Sequence, residues 1–590
     1  MTPRSALAGT VPSAPPPSPS GRPVPAVPQQ VHSLTLSSGV VFLTALAIQI
    51  LGVVGSIFLY KHIGISPSGQ ALIGTAQLFL LVGSSINGIG DLRIGAAYTF
   101  FLARGKSALD NTTTYIVLRT AMVVAASVTL FVVAPVSIFG HTVAKGPELT
   151  SLGIFLCLPV LWSFSTVYNQ MYIGLGNSLR AQFPSLVEAI VRLPVLIYVA
   201  YNVHTLEGMT IAYAVGASSS AIYSLRAVYS RLRRFSWPEA VHMFRYAWPL
   251  MGGLMLNYLV TNMIPLIVSA NLGATKLSIF LTANGWRILV LSLPTAVATP
   301  LFPYLAGLHR QERYEAVRAG TWHALRYTAI FLLPGVVALV TYRYTFLNVF
   351  ANKLYAGPGA WPLAILVVAA IPLSFSQIIL SSFDAIGRRR LELYITAAQV
   401  LVLIAAIVVL MPPWGILPPQ DGIISASIAV LFSGIASLAL NTYFMETLIR
   451  VHIDPKSIGR ITVSAAVSFA SLSLLNRARI FPVLSGLALM AAVFLGFAVY
   501  FVILAAIGEL TQEDVRRVGA SLGIPARVYA PIARVCRVSS APSLSPVDLT
   551  RAPGLRTPEF AEPFSGTTEL PALTDVNTPA EGENAGPKDR

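Results

Sequence analysis

Tyr60-Lys61-His62-Ile63-Gly64 interrupts a long apolar run, and 209 residues later Ser269-Ala270-Asn271-Leu272-Gly273 interrupts another. Each is a short break between segments of roughly 20 or more apolar residues, the length that crosses a bilayer as a helix. A second pair of breaks keeps nearly the same offset. Gly174-Leu175-Gly176-Asn177-Ser178-Leu179-Arg180 recurs as Ala385-Ile386-Gly387-Arg388-Arg389, 211 residues on, and Gly208 returns as Gly422 at an offset of 214. Offsets this similar mark an internal repeat. Six apolar segments per block, an even number, put both blocks in the membrane in the same orientation. They are related by a pseudo-twofold axis along the membrane normal, and two such lobes enclose a central cavity.

Working outward, apolar segments fall near 39–60, 71–101, 114–139, 149–173, 184–203, 208–230, 246–270, 278–303, 325–348, 357–382, 391–411, 421–446, 461–476 and 482–507. The expected fold is therefore an all-α polytopic membrane protein of about 14 transmembrane helices. The thirteenth segment is short and Ser-rich. The expected organisation is a disordered Pro-rich arm (1–38), an N-lobe (39–230), a basic cytoplasmic linker (231–245) and a C-lobe (246–450). Two further helices (451–507), a short interfacial helix (508–524) and a disordered tail (525–590) complete it.

Composition agrees. Of 590 residues, 55% are hydrophobic and 11% charged, with a mean hydropathy of +0.69; a soluble domain carries about 25% charged residues. The net charge of +16 does not signal nucleic acid, because no basic run is interleaved with aromatics. Residues 39–507 hold 29 basic and 13 acidic residues, so the excess lies in the membrane body.

Loop charges orient the chain through the positive-inside rule. The even-numbered loops hold sixteen Lys and Arg, among them Arg231, Arg233, Arg234, Arg388, Arg389 and Arg390; the odd-numbered loops hold seven. This predicts a multi-pass cell-membrane protein with both termini cytoplasmic. The polar N-terminal arm is not a signal peptide, and Cys157 and Cys536 form no disulfide framework.

Several stretches resemble a known family. They are His62-Ile63-Gly64-Ile65-Ser66-Pro67-Ser68-Gly69, Gly90-Asp91-Leu92-Arg93-Ile94-Gly95, Tyr246-Ala247-Trp248-Pro249-Leu250 and Gly508-Glu509-Leu510-Thr511-Gln512-Glu513-Asp514-Val515. In order and spacing, over about residues 35–520, they resemble the polysaccharide-transporter (Wzx-like) branch of the multidrug/oligosaccharidyl-lipid/polysaccharide (MOP) flippase superfamily. The resemblance implies two six-helix bundles in a V that alternates between inward and outward openings. It implies a flippase that moves lipid-linked oligosaccharides for cell-surface polysaccharide or lipopolysaccharide biosynthesis. The implied partners are a polyprenyl-diphosphate oligosaccharide, membrane lipids and glycan-biosynthesis enzymes. No nucleic acid is expected, nor a cofactor or metal, and the expected state is a monomer.

Ionisable groups inside a membrane are expensive, so they default to functional candidates. Arg93 in helix 2, Arg192 in helix 5 and Arg287 in helix 8 are the candidate walls of a cationic cavity. Guanidinium binds a diphosphate bidentately without losing its proton. Glu188 stands four residues before Arg192, so the pair is either cavity lining or a self-neutralised structural couple. Asp91 is a supporting acid near Arg93. Arg119 and Arg226 read as interfacial side chains that snorkel, and Asp384 as an interfacial partner of the following arginines. Pro159, Pro194, Pro294 and Pro334 mark possible bends, with Pro194 and Pro294 as candidate hinges after Arg192 and Arg287. Asn257, Asn262 and Gln49 need polar partners between helices.

Other motifs carry no chemistry. Gly105-Lys106-Ser107 lacks the first glycine of a phosphate-binding loop, since residue 100 is Phe. Asn111-Thr112-Thr113 is a glycosylation sequon in an expected cytoplasmic loop. Eight histidines show no metal-ligand spacing. Two alternatives to the flippase remain. A cation or drug antiporter of the same superfamily would bury carboxylates, and helices 1 and 7 hold no Asp or Glu. A membrane glycosyltransferase or polymerase would need an acidic pair in an external loop, where only scattered Glu148, Glu207 and Asp421 occur. The reading is a non-enzymatic transporter.

Overall fold

The computed structural model describes residues 27–103, 111–134, 148–175, 177–248, 251–411, 415–416, 418, 421–451, 454–477, 486–512 and 514–515. Among them the chain is helical throughout its membrane body, and eleven helices are long and apolar enough to cross a bilayer. The N-lobe is built from α1 (Val27–His62), α2 (Pro67–Ile89), α3 (Ile94–Ala103), α4 (Thr112–Val133) and α5 (Glu148–Gly174). The short α6 (Ser178–Ala181), α7 (Phe183–Asn202) and α8 (Leu206–Val228) complete it. After the linker helix α9 (Trp237–Ala247), the C-lobe comprises α10 (Met251–Arg310), α11 (Tyr314–Thr341), the short α12 (Arg343–Phe350) and α13 (Lys353–Ala385). It continues through α14 (Arg389–Leu410) and α15 (Gly422–Phe444), and α16 (Pro455–Arg477) and α17 (Gly486–Ala506) follow.

Three boundaries differ from expectation. Helix α1 begins at Val27, inside the arm expected to reach residue 38. Polar residues do not stop a helix, and its one proline, Pro28, sits in the first turn, where proline is tolerated. Expected helix 2 is broken at Gly90–Arg93 into α2 and α3. Expected helices 7 and 8 form one element of 60 residues, about 90 Å if it were straight at 1.5 Å per residue. It is not straight. Gly273 has φ 82 and ψ 172, which only glycine adopts readily, and its position matches Gly64 in the first block.

The Ser-rich thirteenth segment is a full helix. Its small residues allow close packing in a bilayer: Ser464 and Ser468 are buried, and Ser468 Oγ donates to the Gly496 carbonyl of α17 at 3.1 Å. Glu509 and Asp514 turn inward onto Arg326 of α11, at 2.7 and 3.0 Å, while Tyr327 Oη also donates to Asp514. Residues 516–524, with Arg516 and Arg517, lie outside the described residues, as do 1–26 and the tail 525–590.

The apolar packing divides unequally along the membrane. One core cluster joins α1, α2, α10, α13 and α17 at mid-depth and at the end carrying the sparse loops. Toward the Arg-rich loops it gives way to two separate clusters. One is made by α3, α4, α5, α8 and α9, the other by α10, α11, α13, α14 and α15, and they have no residue in common. The lobes thus share one apolar core at the far end, and toward the basic end each has an apolar cluster of its own.

Specific contacts close the far end. Asn352 Nδ2 donates to the carbonyls of Tyr60 (2.7 Å) and Gly64 (3.0 Å), and the Tyr60 and Tyr355 rings lie 5.1 Å apart. A methyl group on Gly74 would sit 1.9 Å from the Ala274 carbonyl oxygen, so α2 and α10 touch backbone to backbone. Nearer the basic end the lobes meet again at a point, where a methyl on Gly88 would lie 1.2 Å from the Tyr258 hydroxyl. The linker is fixed to the N-lobe: Asn111 Nδ2 donates to the Arg234 carbonyl (2.7 Å), and the Arg233 amide donates to Thr113 (2.7 Å).

Candidate functional site: a polar C-lobe cavity and a charged N-lobe break

The break after α2 is held by a buried charge network. Leu92 and Arg93 adopt φ 42 and 61, a region costly for residues with a side chain. Asp91 anchors the turn by accepting from Tyr115 Oη (2.7 Å) and from the Gly95 amide (3.3 Å). It also forms an ion pair with Arg119 of α4. Arg119 donates further to the carbonyl (2.9 Å) and side-chain oxygen (2.8 Å) of Asn87.

This corrects two expectations. Arg119 does not reach for an interface; it is 1% exposed, because α4 turns its second helical turn toward α2. Asp91 serves Arg119, not Arg93. Arg93 makes no ion pair among the described residues, and its Nε is buried without a hydrogen-bond partner. It lies within electrostatic reach of Tyr258, the C-lobe residue seated against Gly88.

Arg192 and Glu188 form the structural couple. Their side chains meet at 2.9 Å, Trp162 Nε1 donates to Glu188 at 3.2 Å, and the guanidinium lies 5.0 Å from the Tyr213 ring centre. All four residues belong to the N-lobe. Arg226 is exposed in the last turn of α8, Gln49 is exposed, and Asn262 is buried. Pro194 and Pro294 lie within α7 and α10; the non-helical backbone inside α10 is at Gly273 and not at Pro294.

A cavity of about 790 Å³ lies inside the C-lobe between α10, α13, α14 and α15. Arg287 is on its wall; Arg93 and Arg192 are not. No hydrogen bond joins Arg287 to either of them among the described residues. Arg287 Nε is buried without a hydrogen-bond partner, and the guanidinium makes no ion pair among the described residues. Asp384 and Glu392 also line the cavity, close to the basic end. Asp384, expected as an interfacial partner, therefore faces the cavity. With one arginine and two carboxylates, the wall is not cationic.

Most of the remaining polar lining is uncharged: Asn257, Asn284, Gln377 and Gln399 supply carboxamides, and Ser376 and Thr396 are among the hydroxyls. Sequence reasoning missed this. A pattern was present, since Gln377, Ser381 and Asp384 recur at helical spacing on α13, as do Glu392, Thr396 and Gln399 on α14. Among the described residues no group of three His, Cys, Asp or Glu is placed to hold a metal ion.

The chain has the fold of a MOP superfamily transporter. Superposition on the lipid II flippase MurJ in its inward closed conformation gives a TM-score of 0.64 at 13% identity, over 79% of this chain and 97% of that one. An inward-facing multidrug resistance MATE family transporter gives 0.56 at 16%, over 70% and 98%. A MOP superfamily transporter from Pyrococcus furiosus, described as having a binding pocket of reverse polarity, gives 0.53 at 15%, over 71% and 96%. More particularly, residues 104–357 match the family model described as "Polysaccharide biosynthesis protein". No curated protein matches the chain by sequence. The fold that the sequence resemblance implies is thus the fold observed.

Proposed function

We propose that the protein is a flippase that carries a lipid-linked oligosaccharide, held through a polyprenyl diphosphate, from the cytoplasmic to the outer leaflet by alternating access. The observation that carries this reading is the distribution of paired and unpaired charge. Both N-lobe carboxylates placed at membrane depth, Asp91 and Glu188, are neutralised by Arg119 and Arg192. Arg93 and Arg287 keep guanidinium groups without an ion-pair partner among the described residues. A diphosphate needs free guanidinium, and these two groups can supply it. The MurJ-like fold and the polysaccharide-biosynthesis match support the same substrate class.

In this mechanism the Arg-rich loops face the cytoplasm and both termini lie there. On that side each lobe has an apolar cluster of its own, and head group and sugars enter between the lobes while the polyprenyl chain stays in lipid. Rocking of the N-lobe against the C-lobe then separates Asn352 from Tyr60 and Gly64 and opens the outer side. Net export requires consumption of the product outside or a coupling ion, because binding to arginine alone sets no direction.

One observation favours cation-coupled exchange as a second reading: Asp384 and Glu392 share the cavity wall with Arg287. Proteoliposomes separate the two. Flipping of a fluorescent polyprenyl-diphosphate oligosaccharide is expected in wild type, and Arg93→Glu with Arg287→Glu should slow it at least about tenfold, the effect of losing roughly 1.4 kcal/mol of binding. Unchanged flipping in that variant removes the arginines from the mechanism. Uptake of a cationic dye that depends on Asp384 and Glu392, without lipid flipping, establishes the antiporter instead.

A further inference from the structure

We infer that the C-lobe cavity is a glycan subsite that selects uncharged, hydroxyl-rich sugars; the identity of its ligand as the sugar of a lipid-linked oligosaccharide rests on the flippase reading above. The argument starts from which cavity groups are already satisfied. Asn257, Asn284, Thr396 and Gln399 point no side-chain hydrogen bond at any described residue, and Ser376 Oγ is fully enclosed without a partner. Ser376 is 3% exposed, and Thr396 and Gln399 are each 8% exposed. Buried polar groups are costly unless paired; here the buried Ser376, Thr396 and Gln399 line one space from α13 and α14, and the half-buried Asn284 and exposed Asn257 line it from α10.

The donor and acceptor inventory decides what suits them. A carboxamide offers two N–H donors and a carbonyl acceptor, and a hydroxyl offers both roles. A diphosphate only accepts, so it would leave the carboxamide oxygens unmet; a metal cation would leave the N–H groups unmet. A sugar hydroxyl donates and accepts at once and satisfies both. The volume, about 790 Å³, lies in the upper part of the 300–1,000 Å³ range of pockets that enclose drug-sized ligands. Asp384 and Glu392, on the same wall, repel a uronate or other acidic sugar. The sugar thus occupies the carboxamide-lined wall.

The test measures binding to the purified full-length protein in detergent by calorimetry. Four probes are used: a short alkyl diphosphate, the same lipid carrying a neutral hexose disaccharide, the same lipid carrying a uronate disaccharide, and the free neutral disaccharide. The neutral glycolipid should bind at least about tenfold tighter than the bare diphosphate, and Gln399→Met should cancel that gain, since a lost buried hydrogen bond is worth about a decade. The bare diphosphate should lose less affinity for the variant than the neutral glycolipid does. Ser376→Ala, a smaller change whose folding is checked by its melting temperature, should act in the same direction. Glu392→Gln should narrow the preference for neutral over uronate sugar.

Equal affinity for the bare and glycosylated lipids overturns the subsite and leaves the flippase reading standing, as does equal weakening of both by Gln399→Met. Binding of the free disaccharide alone, lost in Gln399→Met, keeps the subsite and removes the lipid-diphosphate reading. Binding of none of the four overturns both.

Discussion

Replacing Arg119 by Leu should be one of the most damaging single changes in the N-lobe, although it does not line the C-lobe cavity. The side chain is 1% exposed and holds Asp91 and Asn87 together across α2 and α4. Its removal leaves Asp91 with only Tyr115 and the Gly95 amide, in a site only 17% exposed. Breaking one side of a buried ion pair costs about 3–5 kcal/mol. The two Asn87 bonds add less, about 0.6 kcal/mol each on the scale measured between membrane helices. The single variant should therefore lose about 4–6 kcal/mol. Asp91→Leu alone should lose a comparable amount by stranding Arg119. The double variant should lose much less than the sum, because replacing both members of a buried pair by apolar residues is often neutral. Reversible unfolding in mixed micelles, read by Trp fluorescence, supplies the double-mutant cycle. A coupling energy below about 0.5 kcal/mol, the scatter of independent sites, would refute the claim that this pair holds the break.

Other outcomes follow from the same geometry. Arg326→Ala should loosen the segment after α17, since Glu509 and Asp514 both lose their shared partner and keep Arg460 and Ser457 on the one and Tyr327 on the other; limited proteolysis near residue 510 should accelerate several-fold. Burial raises the Asp514 pKa, but hydrogen bonds and charge from Arg326, with Tyr327, outweigh it and hold the carboxyl below its usual value. Its contribution is therefore full above about pH 3.9, the unfolded value, and is lost as pH falls through the lower folded value. Melting curves of wild type and Asp514→Asn should differ at neutral pH and converge in acid. Gly74→Val should hold the lobes apart at the far end, because even a methyl there overlaps the Ala274 carbonyl; cysteine accessibility at positions 60 and 355 should rise, and an unchanged rate would mean the contact is not a gate.

Much of the architecture was legible because length and hydropathy dictate which segments can cross a bilayer. The repeat breaks were legible too, through Gly64 and Gly273. The break at Gly90–Arg93 was hidden, since two of its residues, Leu92 and Arg93, adopt positive φ that their side chains give no reason to expect. Arg119 looked interfacial because position along a helix says nothing of which face is buried, and its partner lies 28 residues away. Arg192 and Glu188 were legible as a pair, four residues apart, but Trp162 and Tyr213 reach them from other helices. The cavity was mostly illegible: α10, α13, α14 and α15 bring their carboxamides together only once packed, and single Asn or Gln residues in apolar runs read as helix-to-helix contacts.

Alternating access by a flippase is tested most directly by locking the far end. In a chain with Cys157 and Cys536 replaced by Ser, Tyr60→Cys and Tyr355→Cys can be bridged by a short bis-maleimide, since the native rings are 5.1 Å apart. In proteoliposomes, the bridged protein should still bind a fluorescent polyprenyl-diphosphate oligosaccharide from the basic side and fail to flip it, whereas the unbridged double variant flips it. Flipping that continues at the unbridged rate after complete cross-linking would contradict the mechanism.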